Sequence, residues 1–246
     1  MVPRALVITP TTGSIELIDA IKSVRNQTVD VEHLIVCDGD VYREATEQVI
    51  NKVGENLRTR VCYLPYNTGG NGFYSHRVIA GFSHLINHDY VLFLDQDNWF
   101  EPDHVESMLN TATKSRFNYD WVYSLRKVYD KEKNFLCDDN CESLGRWPVW
   151  VNDNEYLIDT SSYMYKREFF INVSHLWHFG WGADRRFYSI LKNHFQHKNY
   201  GCTGKHTLGY RLGGNEGSVT GEFFIEGNKR MELKYNGKYP WLEIHS

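Results

Sequence analysis

The most pointed pair of reactive groups in the sequence is Asp95-Gln-Asp97, directly after the apolar run Tyr90-Val-Leu-Phe-Leu94. Hard divalent cations take oxygen ligands, keep several waters and bind through one or two carboxylates plus substrate phosphates. Two carboxylates at the end of a buried strand suit that chemistry, and two solvated acids in a turn are the plain alternative. Asp38-Gly-Asp40 also follows an apolar run. An acid there can accept from a base N–H or from ribose hydroxyls, or simply form an Asp-Gly turn. Gly69-Gly-Asn-Gly72 leads into Ser75-His76-Arg77. Backbone N–H groups there could approach phosphate oxygens, with Arg77 as a fork-shaped donor or as an ordinary surface arginine. Gly180-Trp-Gly-Ala-Asp184 sets an aromatic face between glycines. Its acid, at a helix start, is placed to take a proton from a bound hydroxyl or to act as an N-cap beside a core Trp. Finally, His206 could complete a carboxylate metal site and Arg211 could clamp a departing diphosphate.

The surrounding hydrophobic pattern says where these groups must sit. Continuous apolar runs at 5–8, 33–37, 60–64 and 90–94 read as strands buried on both faces. Between them, helical spacing joins Leu17, Ile18, Ile21 and Val24, starting after Ser14 as a cap. The same spacing joins Ala45, Val49, Ile50 and Val53 within 44–56, then Val78, Ile79, Phe82 and Leu85, then Val105, Met108 and Leu109 after Pro102. Alternating strand and helix predicts right-handed crossovers and a mostly parallel sheet flanked by helices. Ligands bind beyond the carboxyl ends of such strands, and the segments 9–13, 38–40, 67–72 and 95–98 all leave those ends. Beyond residue 115 the alternation weakens. Strands are expected at 121–124 and 156–165, and helices near 166–172 and from about 184. Dense glycine from 201 onward suggests mobile loops or a lid. The expected organisation is one domain: a nucleotide-side half over 1–115, an irregular acceptor and catalytic half over 116–200, and a lid or tail over 201–246.

The chain has 246 residues, 27 basic and 31 acidic, for a net charge of −4. This mildly acidic balance, without Lys/Arg blocks, disfavours nucleic-acid binding through phosphate neutralisation. No apolar run approaches the roughly 18–20 residues that cross a bilayer. The short apolar start does not read as a secretory signal. Five cysteines without a CxxC pair read as reduced thiols in a cytoplasmic protein, at most peripheral to the inner face of a membrane. Neither G-x-G-x-x-G nor GK[ST] is present, which disfavours a dinucleotide fold and a Walker NTPase.

Taken in order, Val7-Ile-Thr-Pro-Thr11, Ala20-Ile-Lys-Ser-Val-Arg-Asn-Gln-Thr28, Val36-Cys-Asp-Gly-Asp40, Asn67-Thr-Gly with Arg77, Leu92-Phe-Leu-Asp-Gln-Asp97 and Gly180-Trp-Gly-Ala-Asp184 resemble the inverting family-2 glycosyltransferases of GT-A fold. The resemblance runs from residue 5 to about 195. It implies an α/β, Rossmann-like domain that moves a sugar from a nucleoside-diphosphate sugar, UDP favoured, to a glycan, lipid-linked or protein hydroxyl. By that resemblance Thr9, Pro10, Thr11, Asp38, Asn67, Arg77, Asp95 and Gln96 contact the nucleotide. Asp97 with Asp95, and His206 as a third candidate, would hold Mn²⁺ or Mg²⁺. Asp184 would be the general base, and Trp181, Gly182 and Arg211 would face the acceptor or sugar. The sequence departs from the family pattern at Ala183, where many relatives carry an acid, and at Val78, where Asn is usual. A non-catalytic carbohydrate- or nucleotide-binding module is the competing reading. A sugar-phosphate nucleotidyltransferase would want a basic Gly-rich loop after the first strand, and Thr9-Pro-Thr-Thr-Gly13 has no basic residue.

Overall fold

In the computed structural model, the described residues are 3–114, 118–193, 195, 198–214 and 219–243. The N-terminal half is built as the hydrophobic runs predict. Strands β1 (Ala5–Thr11), β2 (Val31–Cys37), β3 (Thr59–Tyr63) and β4 (Tyr90–Phe93) pair in parallel in the order β3-β2-β1-β4. Helices α1 (Leu17–Arg25), α2 (Arg43–Val53) and α3 (His76–Phe82) make the crossovers. Ser14 does not cap α1; its hydroxyl bonds Glu16, and the helix begins at Leu17.

Past the short strand β5 (Trp99–Phe100) and helix α4 (His104–Lys114), the sheet continues in mixed order. Strand β6 (Trp121–Tyr129) carries the hairpin partner β7 (Phe135–Asp138), and β8 (Tyr163–Lys166) joins β6 to β4 with antiparallel pairing on both sides. Helices α5 (Arg167–Val173) and α6 (Ala183–Asn193) precede β9 (Tyr200–Arg211), and α7 (Gly221–Tyr235) closes the described elements. The full order is β3-β2-β1-β4-β8-β6-β9-β5.

Because side chains alternate across a strand, β1 feeds two cores. Ala5 and Val7 join the apolar faces of α1 and α4, while Leu6 and Ile8 join those of α3, α5, α6 and α7. The sheet is thus the middle of three layers, and its carboxyl edge is the exit that both helical layers leave open.

Two further sequence expectations are overturned. The run 156–165 is strand only from Tyr163; before it, Asp159 accepts the Ser161 N–H at 2.9 Å and folds 160–162 into a 3₁₀ turn. The glycine-dense segment is not a loop over 201–211 but a twelve-residue strand inside the sheet. Glycine is required there by close packing: a Cβ at Gly201 would lie 2.6 Å from the Tyr119 ring, and one at Gly209 would strike Trp99. The remainder of the expected lid includes 215–218, which lie outside the described residues.

Candidate active site

Leu94 still bonds the Ile8 carbonyl, so Asp95-Gln-Asp97 emerges at the carboxyl edge between β1 and β4. Asp95 is supported by hydroxyls alone: Ser75 donates to Oδ1 and Ser161 to Oδ2, each at 3.3 Å, while the Asp95 N–H donates to Ser161 Oγ at 3.0 Å. Burial, with Asp97 and Asp159 nearby, pushes the Asp95 carboxyl up to about 7. Burial also raises Asp97, with Asp159 adding to the shift and Arg211 opposing it. A Cβ at Gly214 would strike the Asp97 carboxylate, so the turn after β9 closes directly on this acid. Gln96 is a clasp. Its Oε1 accepts from Thr11 Oγ1 at 2.7 Å and Thr12 N at 3.0 Å, tying the exit of β1 to that of β4.

The other edge of the crevice is the segment after β3. Both oxygens of the buried Asp38 are taken by it: Thr68 N and Oγ1 donate to Oδ1 at 2.8 and 2.7 Å, and Gly69 N donates to Oδ2 at 2.8 Å. Asn67 adds a bond from Nδ2 to the Asp38 carbonyl at 3.0 Å. Arg77 donates to the Thr68 carbonyl at 3.2 Å and lies 3.5 Å over the Phe73 ring. Thr9 is held within the sheet layer, its hydroxyl 2.8 Å from His33 Nε2, and Pro10 is buried on the opposite face.

Helix α6 starts at Ala183 and carries Asp184 in its first turn, with Oδ1 accepting the Arg185 N–H at 2.7 Å. Burial raises this carboxyl as well, and Asp159 contributes again. Trp181, three residues earlier, is 78% exposed, and Gly182 takes a positive φ of 77° that an L side chain would resist. Arg211 is tethered to Asp19 at 2.5 Å, and its N–H donates to Asn98 Oδ1 at 3.1 Å, beside Asp97. His206 is placed elsewhere. It sits inside β9 opposite Leu125, at a register shift, where Asp138 and Asp139 are the acids that act on it. Among the described residues no third His, Cys, Asp or Glu completes a metal cluster with the aspartate pair.

Beneath both edges lies a buried ionic network that the sequence reading missed. Arg126, 2% exposed, donates from Nε to Asp139 at 2.7 Å, from Nη1 to Asp159 at 2.7 Å, and from Nη2 to Glu142. Glu142 also accepts from Arg185 Nη2 at 2.8 Å. Asp159 therefore joins Asp95, through Ser161, to the guanidinium whose other partner holds the start of α6. The available signal was a charged residue inside the apolar strand Trp121-Val-Tyr-Ser-Leu-Arg126, since a buried arginine needs buried acids.

Compared with known proteins, residues 7–191 match the model for glycosyl transferase family 2. The chain belongs to that family. The mixed sheet with its parallel N-terminal block is the GT-A arrangement. Solved neighbours agree on the fold. Residues 1–349 of S. aureus TarS superpose with a TM-score of 0.60 at 16% identity, over 85% of this chain and 60% of that one. The same TarS segment in complex with UDP-GlcNAc gives 0.62 at 14% identity, over 94% and 66%. The chain thus spans less than two thirds of the TarS segment. No curated protein matches it. Among the described residues, no helix is long and apolar enough to cross a membrane.

The tertiary structure gives Asp95, Asp97 and Asp184 one buried acid in common, Asp159, whose charge raises all three carboxyls. It does not gather His206 with them.

Proposed function

We propose that this glycosyltransferase transfers a sugar from UDP-sugar to an acceptor hydroxyl with inversion at the anomeric carbon, with Asp184 as general base and Asp97 and Asp95 as ligands of Mn²⁺ or Mg²⁺. One observation carries the reading. The carboxyls of Asp95 and Asp97 at the sheet edge and of Asp184 at the start of α6 are all raised by burial, and among the described residues the Asp95 carboxylate is bonded by hydroxyls alone. A desolvated acid without a cation, as at Asp95, is unfavourable, and a hard divalent ion held by Asp95 and Asp97 would offset that cost. The all-oxygen character of the pair fits these metals rather than zinc. The UDP and UDP-GlcNAc complexes of TarS support the choice of donor.

When bound, the metal would supply charge neutralisation at the diphosphate. The chain's own groups do the rest. The raised Asp184 carboxyl lies nearer neutrality than an exposed acid, which suits a general base. It removes the acceptor hydroxyl proton; the oxygen forms a bond to the anomeric carbon, and the carbon–oxygen bond to the diphosphate breaks with its electron pair leaving on the nucleotide. Arg77, bonded to Thr68 and stacked on Phe73, and Arg211, paired with Asp19, are the donors assigned to the developing negative charge.

The test is calorimetric titration of UDP with and without Mn²⁺, followed by transfer from UDP-GlcNAc and other UDP-sugars. Metal-dependent UDP binding and transfer with inverted configuration are expected. UDP binding that ignores Mn²⁺ would overturn the metal assignment, and retention of configuration would overturn Asp184 as base.

A further inference from the structure

Asp184 belongs to the first turn of α6, yet the groups that act on its carboxyl come from several elements. After burial, Asp159 raises it from the turn before β8, while Arg185 of α6 and Arg126 of β6 lower it. On β8, burial pushes up the Tyr163 phenol and Asp184 adds to that shift; among the described residues the Tyr163 hydroxyl has no bonded partner. Arg185 reaches Asp184 by two routes that can be separated. Its backbone N–H donates to Asp184 Oδ1 at 2.7 Å, which ties the carboxylate to its own helix. Its guanidinium supplies positive charge, and a side-chain substitution removes that charge while leaving the N–H in place.

Glu142 decides where that guanidinium goes. Arg185 Nη2 pairs with Glu142 at 2.8 Å and Nη1 with Glu155 at 3.4 Å. The Glu142 side chain is 5% exposed and that of Glu155 50%, so solvent screens the second pair far more than the first. Glu142 is also held in place. Its N–H donates to Asp139 Oδ1 at 2.8 Å, in a turn where Asp139 accepts from the Cys141 and Ser143 N–H groups as well. Its second oxygen is bonded by Arg126 Nη2. Burial raises the Glu142 carboxyl, and Arg126 and Arg185 oppose that shift. One buried acid thus divides its charge between the two guanidinium groups that act on Asp184. The consequences for Asp184 are opposite in sign: Arg185 favours its ionised form, and Glu142 offsets the field of both cations.

We propose that Arg185 and Glu142 are positioning residues of the transfer reaction, which clamp the first turn of α6 and fix the charge against which Asp184 takes up a proton. This rests on Asp184 as base and adds the groups that serve it. The test follows the Asp184 carboxyl directly, by ¹³C NMR titration of aspartate-labelled protein, its signal identified by its loss in Asp184→Asn. Arg185→Gln should raise the titration midpoint by about half a pH unit or more, and Glu142→Gln should lower it by a similar amount. Arg185→Lys keeps the charge and should restore most of the wild-type midpoint. Glu155→Gln, at the screened partner, should leave it nearly in place. The acid limb of the pH profile for transfer from UDP-GlcNAc should move in the same two directions, whereas a merely structural role would lower turnover in both variants without shifts of opposite sign. Arg185 lies partly in solvent, so Arg185→Gln decides the matter if Glu142→Gln fails to fold. A midpoint within about 0.2 pH unit of wild type in Arg185→Gln, or one that moves the same way in both variants, refutes the proposal. Unimpaired transfer by Asp184→Asn would instead refute the base on which it rests.

Discussion

Replacing Arg126 with methionine would remove the cation on which three buried carboxylates converge. The side chain is 2% exposed, bonds Asp139 and Asp159 at 2.7 Å and also bonds Glu142, and lies 4.2 Å from the Tyr210 ring. Methionine fills much of the volume, so the loss is mainly electrostatic. Breaking a buried ion pair from one side is worth about 3–5 kcal/mol, because an uncompensated charge is left behind. In a domain of this size each kcal/mol moves Tm by about 2–4 °C, so the midpoint should fall by roughly 6–20 °C. Thermal melts followed by circular dichroism would measure it. A partial rescue is expected on adding Asp139→Asn and Glu142→Gln, which remove two of the stranded charges; neighbours in one network are not additive. Because Asp159 also aligns Ser161 beneath Asp95, the single variant should lose transfer activity at temperatures where it is still folded. A midpoint within about 2 °C of wild type would refute the claim that this network is a stressed electrostatic support.

The remaining predictions concern the site and the pH response. Asp97→Ala and Asp184→Asn should each lower transfer by at least about a hundredfold with an unchanged circular dichroism spectrum, and near-wild-type turnover would remove that residue's role. Stability should decline in acid because burial holds His33 and His104 down at about 3, against 6.5 in the open chain. As pH falls below 6.5 the unfolded chain takes up protons that the folded one refuses. Each histidine therefore withdraws about 2 kcal/mol by pH 5, and urea titrations of His33→Gln and His104→Gln between pH 5 and 7 should show a shallower slope than wild type. Gly69→Ala places a Cβ against the Tyr74 carbonyl. It should destabilise by about 1–3 kcal/mol and loosen the Asp38–Thr68 anchor, read as faster amide exchange at Thr68 and Gly69.

The N-terminal half was legible in the sequence because its signals are local. An apolar run of four or five residues must be buried, a polar break must follow it, and helical spacing must bring the chain back, so β1 to β4 and the placing of Asp95 and Asp97 at their edge could be read directly. The second half was less legible because its segments are decided by distant partners. Residues 156–162 look like strand, yet Asp159 draws them into a turn by accepting the Ser161 N–H. Gly201 and Gly209 look like loop, yet they are the positions where Tyr119 and Trp99 press on the backbone. His206 was grouped with the aspartates by residue type, and the strand carries it to Asp138 and Asp139 instead.

What the amino-acid sequence determined by itself was the alternation of elements, the identity of the acids and the edge from which they leave the sheet. Only the tertiary structure decided that Asp159 reaches Asp95 through Ser161 and acts on Asp97 and Asp184, that Arg126 pairs with it, and that Asp38 and Gln96 bind their own loops together. The physical reason is range. Hydrophobic period acts over a few neighbours and is written in the chain. Pairing of buried charge depends on residues such as Arg126, Asp139 and Asp159, whose partnership exists only once β6, the hairpin after it and the turn before β8 have packed into one layer.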